Sequence, residues 1–383
     1  MESNIKKVSN LLRSLNWYLD YYIFKLSNKT VKIDHDKIKR VLIVELKLIG
    51  DILVTTPSIK AIKKRYPDSK ITMMVPPRME PIITNNPNIN KIISISNKDI
   101  KSNFNEILTK IKDKYDLAVI FHPGSRLISK LIYKANIPYR IGCTKVGFIE
   151  GKGYNLTHKT HPTFELKHKV DDNLDVLKTI GINVEKEEDR YPELYIPQKD
   201  KVKIESLLNK KGFSKNDFLI CIHTNPNHNS HRWIKERFTD LSDTLINKYK
   251  AKLIFTGTED HIENIKEITK DLGNKNYLIL AGKTNLKQYF EALRICKIVI
   301  TVDTSAMLIA GAVKTPVITL YGAGNPRIWH PYCNNHIDIY KNEVCTSCMK
   351  HECFRKNERY MECMKSITVK DVLDAVDNIQ KTI

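Results

Sequence analysis

The sequence predicts an α/β fold of two doubly wound parallel sheets, on three observations. From Lys39 onward, short apolar runs rich in Val and Ile alternate with stretches of helical length. This is the pattern of strands and helices that cover both faces of a parallel sheet. The alternation pauses once, at "YPELYIPQKD" around Tyr191 to Pro197, and then restarts. With 383 residues, 42% of them hydrophobic, the chain is long enough to build two domains with ordinary cores.

Residues 1–38 precede this pattern and read as an N-terminal amphipathic helical extension. In "LLRSLNWYLDYYIFKL" (11–26), Leu11, Leu15, Tyr18, Tyr22 and Leu26 recur at three- to four-residue spacing, with Lys6, Lys7, Arg13, Lys25 and Lys29 around them. Two readings stay open. One is an in-plane anchor with aromatics at lipid headgroups and lysines toward phosphate; the other is a helix packed on the body of the protein.

In the first half the expected strands are 40–45, 70–75, 91–95, 116–121 and 138–142. In the second half they are 218–223, 252–256, 277–280, 297–302 and 316–320, with helices near 235–249, 261–271, 286–294 and 305–313. The run Val41-Leu42-Ile43-Val44 is short, apolar and β-branched, as a strand buried on both faces is. A last helix, about 368–380, sets Val369, Val372, Leu373, Val376 and Ile379 on one face. The domains read from this are 1–38, then 39–192 and 193–366 for the two sheets, then 367–383 for the closing helix. Each sheet carries its ligand edge at the carboxyl ends of its strands, so the two edges are expected to face one cleft.

Lys plus Arg number 63 against 43 Asp plus Glu, a net charge of +20. Such an excess points to a polyanionic partner: an anionic membrane face, a phosphorylated glycan or nucleotide, or nucleic acid. A Lys- and Asn-rich proteome is the alternative source of much of the excess. No aromatic–basic RNA motif occurs, so nucleic acid is not expected, although a non-catalytic nucleotide-sugar or nucleic-acid binding module remains the reading of another class. The opening residues lack a signal-peptide cleavage pattern and no run of about 18 uncharged apolar residues is present. The expected location is cytoplasmic, peripheral on the inner face of the cytoplasmic membrane.

Several segments carry chemistry. "VLIVELKLIGDILVTTPSIKAIKKRYP" (41–67) reads as strand, glycine turn and helix, the layout of a phosphate-binding unit. Yet Asp51 stands where it would repel phosphate, although a carboxylate there suits the helix dipole. In the second half, "VITVDTSAMLIAGAVKTPVITLYGAGNP" ends a strand at Asp303 and starts a helix at Thr304 and Ser305. Free N–H groups there, with two hydroxyls, can hold a diphosphate, while Asp303 can accept from sugar hydroxyls; simple helix capping is the alternative. "IHTNPNHNSHRWIKERF" (222–238) offers Thr224, Asn225, His231, Arg232 and Lys235 around a turn, with Trp233 expected to pack beneath it. "TGTED" (256–260) closes the next strand, and Glu259 is placed either to take a ribose hydroxyl or to start a helix.

Taken together and in order, these segments resemble the ADP-heptose:lipopolysaccharide heptosyltransferases, glycosyltransferase family 9. The resemblance rests on the 41–67 segment, "HKVDDNLDVLKTIGI" (168–182), "HRWIKERFTDL" (231–241), "LAGKTNLKQYFEAL" (280–293) and "VDTSAMLIAGAVKTPVITLYG" (302–322), and spans roughly 39–380. It implies a GT-B fold, two Rossmann-like domains facing across a cleft. It further implies an inverting, metal-independent transfer of heptose from ADP-heptose to the lipopolysaccharide inner core. The nucleotide sugar would sit in the C-terminal half, on Thr224, Asn225, His231, Arg232, Glu259, Thr284, Asp303, Thr304, Ser305 and Ala306. Asp51 would then be no phosphate ligand but the general base for an acceptor in the N-terminal half. Two departures bear on the donor. His231 stands where the family often has Lys, and the family's Asp-[Ser/Thr]-Gly-x-x-His motif reads Asp303-Thr304-Ser305-Ala306-Met307-Leu308 here. Another nucleotide sugar, or a protein acceptor such as an autotransporter, is the alternative.

Cys345, Cys348, Cys353 and Cys363 form a C-x2-C-x4-C-x9-C cluster. Four thiolates so spaced can close a tetrahedral structural site for zinc or iron, and a reducing cytosol disfavours disulfides. The resemblance points the same way, since related protein heptosyltransferases carry Cys-bound iron. Reduced cysteines in a surface loop are the alternative.

Overall fold

The structure, a computed structural model, describes residues 19, 22, 26, 31–121, 126–143, 153, 155–160, 165–273, 276–333, 335–341, 345 and 347–382. The expected 11–26 helix lies outside the described residues, apart from Leu19, Tyr22 and Leu26, which are helical and exposed. The chain divides into two compact units, Met1–Arg190 and Tyr191–Ile383.

In the first unit, β1 (Arg40–Val44) leads through two helices, α1 (Ile49–Leu53) and α2 (Thr56–Arg65), to β2 (Lys70–Val75). β3 (Lys91–Ser94), α3 (Phe104–Ile111), β4 (Leu117–Ile120), α4 (Arg126–Lys134), β5 (Tyr139–Gly142), β6 (His158–Lys159) and α5 (Lys169–Lys178) follow. The sheet order is β3-β2-β1-β4-β5-β6, all parallel. β1 is central: Val41 pairs with Ile71 on one side and Leu117 on the other, and Val41 to Val44 are fully buried. With both faces covered, the strand has no polar side to show, hence its unbroken apolar run.

The second unit opens with α6 (Gln198–Lys210), then β7 (Leu219–His223), α7 (Lys235–Asn247), β8 (Lys252–Phe255), α8 (Ile262–Thr269) and β9 (Tyr277–Ile279). It continues with α9 (Leu286–Arg294), β10 (Ile298–Val302), α10 (Ser305–Ala312), β11 (Val317–Leu320), β12 (His336–Ile339) and α11 (Val369–Gln380). Its sheet, β12-β11-β10-β7-β8-β9, is again all parallel. α10, "SAMLIAGA", is apolar all round and buried from Ala306 to Ala312, as a helix enclosed on every side must be.

Three points differ from the sequence expectation. The stretch read as linker ends in a helix: Pro197 caps α6, and Asp200 in its first turn is buried, accepting from Asn285 and Gln288 side chains on the loop and helix of α9. Two edge strands, β6 and β12, were not foreseen. The closing helix is part of the second unit's core rather than an appendix: Val372, Ala375, Val376 and Ile379 pack with Trp233, Phe238 and Met364. Thr368 and Asp371 close its N-terminus with a reciprocal capping box.

Candidate active site

In the first unit Asp51 occupies the third position of α1, just beyond the carboxyl end of β1. Its Oδ2 accepts the Leu48 N–H at 3.3 Å. That bond fixes one carboxylate oxygen. Burial raises the Asp51 carboxyl above its ordinary value, and Lys47, the Leu48 N–H and Lys169 oppose the rise. α5 holds this turn in place: buried Asn173 donates to Val54 O and Thr55 Oγ1, both at 3.3 Å, while Thr55 Oγ1 donates to Asp51 O at 2.8 Å. The segment 168–182 therefore serves to brace the turn that bears the acid. Glu45, at the end of β1, is also buried beside this turn, and sequence reasoning passed over it.

In the second unit the tip of β10 gathers several of the sequence candidates. Thr304 caps α10, its Oγ1 accepting the Ala306 N–H at 3.2 Å, and Asp303 N–H donates to Leu320 O. His231 Nδ1 lies 3.2 Å from Asp303 Oδ2, each side chain nearly enclosed. Burial pulls the His231 imidazole down, but its hydrogen bonds and attraction to Asp303 outweigh this, and the net shift is upward. Gly324 presses against Asp303: a Cβ there would stand 1.6 Å from Oδ2, so no side chain fits. Asp338, on β12, is pushed up to about 6 by burial and by the Asp303 charge, with His336 opposing. Its Oδ1 has no partner among the described residues.

The other candidates lie on neighbouring loops. Thr224 and Asn225 are joined at 2.5 Å, and Asn264 donates to Asn225 Oδ1 at 2.9 Å. With Arg232, Trp233 and Lys235 they line a cavity of about 320 Å³. Trp233 is buried beneath the loop and its Nε1–H donates to Ile367 O, as a core residue rather than a base-stacking one. Glu259 is exposed on a short turn capped by Thr258, and Gly282, at positive φ, packs beside it so closely that a Cβ there would stand 3.2 Å from the Glu259 Cα. His223, at the end of β7, was not singled out from sequence. Burial and the nearby His261 push it down to about 4, and it shares a 3.1 Å hydrogen bond with Thr256 Oγ1. The signal that marks Glu45 and His223 is position: a polar residue at or just past the carboxyl end of an otherwise apolar strand.

The cysteine-rich loop flanks the β10 tip. Ser347 N–H and Met349 N–H donate to Gly322 O and Ala323 O, and His351 stacks on His228 at 3.8 Å. Burial, then the neighbouring Cys345, pushes the Cys363 thiol up to about 11, with Cys348 and Cys353 adding smaller contributions. Among the described residues no group of three His, Cys, Asp or Glu side chains stands in metal-ligating positions.

Comparison with known proteins agrees with this architecture. The family model "Glycosyltransferase family 9 (heptosyltransferase)" matches residues 106–358. Lipopolysaccharide heptosyltransferase 3 of Escherichia coli K12 is 28% identical over 340 residues, 86% of this chain and 95% of that protein. A family 9 glycosyl transferase from Veillonella parvula superposes with a TM-score of 0.78 at 22% identity, covering 92% of this chain and 99% of the other. The Escherichia coli ADP-heptose lipopolysaccharide heptosyltransferase II gives 0.71 at 20% identity, over 90% and 100%. The fold is GT-B, and the chain belongs to glycosyltransferase family 9, the heptosyltransferase family.

Proposed function

We propose that this enzyme transfers heptose from ADP-heptose to a hydroxyl of the lipopolysaccharide inner core, inverting the anomeric centre, with Asp51 as general base. The names of its relatives support donor and acceptor. The observation that carries the mechanism is the half-buried Asp51 carboxylate, oriented by the Leu48 N–H, at the carboxyl end of the central strand. In the reaction this carboxylate takes the proton of the acceptor hydroxyl. The acceptor oxygen bonds to the anomeric carbon, and the carbon–phosphate-oxygen bond breaks with its electron pair leaving on ADP. A raised carboxyl is the stronger base, and a carboxylate suits the oxocarbenium-like transition state beside it. On the leaving side, the α10 N-terminus, Thr304, Ser305 and protonated His231 would offset the diphosphate charge, a role that needs no metal.

The basic surplus fits an acceptor bearing phosphates on an anionic membrane face, and no helix among the described residues is long and apolar enough to cross a bilayer. Asp51→Asn tests the reading. Purified protein with ADP-heptose and a heptose-bearing core acceptor, followed by ADP release, should lose roughly a hundred- to ten-thousandfold in turnover. ADP affinity should stay at the wild-type value. Turnover near the wild-type rate would remove Asp51 from the mechanism.

A further inference from the structure

Glu45 leaves β1 directly ahead of the Lys47–Asp51 turn. Its main chain continues the sheet, its N–H donating to Met74 O at 3.1 Å. Its side chain is 3% exposed, and Oε1 is buried without a hydrogen-bond partner among the described residues. An ionised carboxylate has only acceptor sites and needs donors on both oxygens once water is removed; a carboxylic acid carries no charge and brings a donor of its own. The charged groups acting on Glu45 are Asp51 of α1, Lys47 of the turn and Lys169 of α5. None of them is hydrogen-bonded to Oε1.

We propose that Glu45 is a positioning residue for Asp51: a buried carboxyl, one oxygen left without a donor, that sits in its uncharged acid form behind the turn and leaves Asp51 as the carboxylate offered to the acceptor. The inference rests on the reading of Asp51 as the base. Its consequence is a charge balance. With Glu45 neutral, the ammonium groups of Lys47 and Lys169 match the carboxylates of Asp51 and of Asp172, which lies 3.4 Å from Lys169, so an acceptor with an anionic group beside its reacting hydroxyl meets no net repulsion. Once Glu45 ionises, a carboxylate is in excess and the anionic acceptor binds less well. Burial first, then the Asp51 charge, pushes Glu45 up to about 8, with the two lysines and a hydrogen bond from the Lys47 N–H opposing. The crossover therefore falls just above neutrality.

Two measurements test this. Activity with ADP-heptose and a phosphorylated core acceptor, measured from pH 5 to pH 9.5, should give an alkaline fall in kcat/KM for the acceptor centred near 8. A single ionisation there takes wild type down about tenfold between pH 7 and 9. Glu45→Gln keeps a neutral donor of the same shape but cannot ionise. It should hold kcat at pH 7 within about threefold of wild type and lose most of the alkaline fall, the change appearing in acceptor KM. An unchanged alkaline limb would overturn the inference. On the wild-type protein, carboxyl-13C NMR of glutamate, assigned with the Glu45→Gln variant or by selective labelling if that variant does not fold, should find one glutamate titrating near 8. Titration of Glu45 below 5 would overturn the inference even while Asp51→Asn remains inactive. An active Asp51→Asn beside a Glu45 that titrates near 8 would instead discard the base.

Discussion

Gly324→Ala is the sharpest perturbation available at the β10 tip. The new methyl carbon would start 1.6 Å from Asp303 Oδ2 and 2.7 Å from its Cγ, where real contacts do not fall below 3.0 Å. Asp303 cannot yield freely, because His231 holds its carboxylate at 3.2 Å and its N–H is bonded to Leu320 O. Either the carboxylate swings away from His231 or the 322–325 loop moves outward. Overpacking of this kind costs about 1–3 kcal/mol. If the displaced carboxylate is a donor ligand, the same energy appears as a roughly five- to 150-fold weaker Kd for ADP-heptose. Calorimetric titration with ADP-heptose and ADP, alongside thermal unfolding, measures both parts. The control is the double variant: with Asp303→Ala the obstruction is gone, so adding Gly324→Ala should cost almost nothing more. Equal losses in both backgrounds would refute the contact as the cause. Wild-type affinity and stability in Gly324→Ala would refute the packing argument altogether.

Two further predictions concern the same unit. The His231 imidazole is raised by Asp303, so its charge is fully present below about 6.5 and is lost as pH rises through its higher folded value. ADP affinity should follow that loss, flatten in His231→Ala, and persist to higher pH in His231→Lys; a flat wild-type profile would detach His231 from the diphosphate. Trp233→Ala should destabilise the unit by roughly 3–5 kcal/mol in urea unfolding. It empties a core position and leaves Ile367 O without the indole donor at 2.9 Å that ties α7 to the approach of α11. Loss below 1 kcal/mol would show that the site repacks.

How far the sequence reads depends on whether a signal is local. The central strands were legible because a strand covered on both faces must be apolar along its length, and "VLIV" and "IVITV" allow little else. The placement of Asp51, Asp303 and Thr304 at strand ends followed from the same runs. β12, "HIDI", and two-residue β6 were not legible, since edge strands are half-covered and too short to show a period. α6 was masked by Pro192 and Pro197, which read as linker although Pro197 caps a helix.

Local pattern was enough for the two doubly wound halves, the strand tips and the carboxylate at residue 51, because strand and turn propensities act over a few neighbouring residues. The folded chain alone reveals that Glu45 is buried with one oxygen lacking a donor, that Asp303 faces His231 and crowds position 324, and that the last helix joins the second core. Those properties arise from residues tens to more than a hundred positions apart in the chain. Burial and electric field depend on such neighbours, which local pattern does not record.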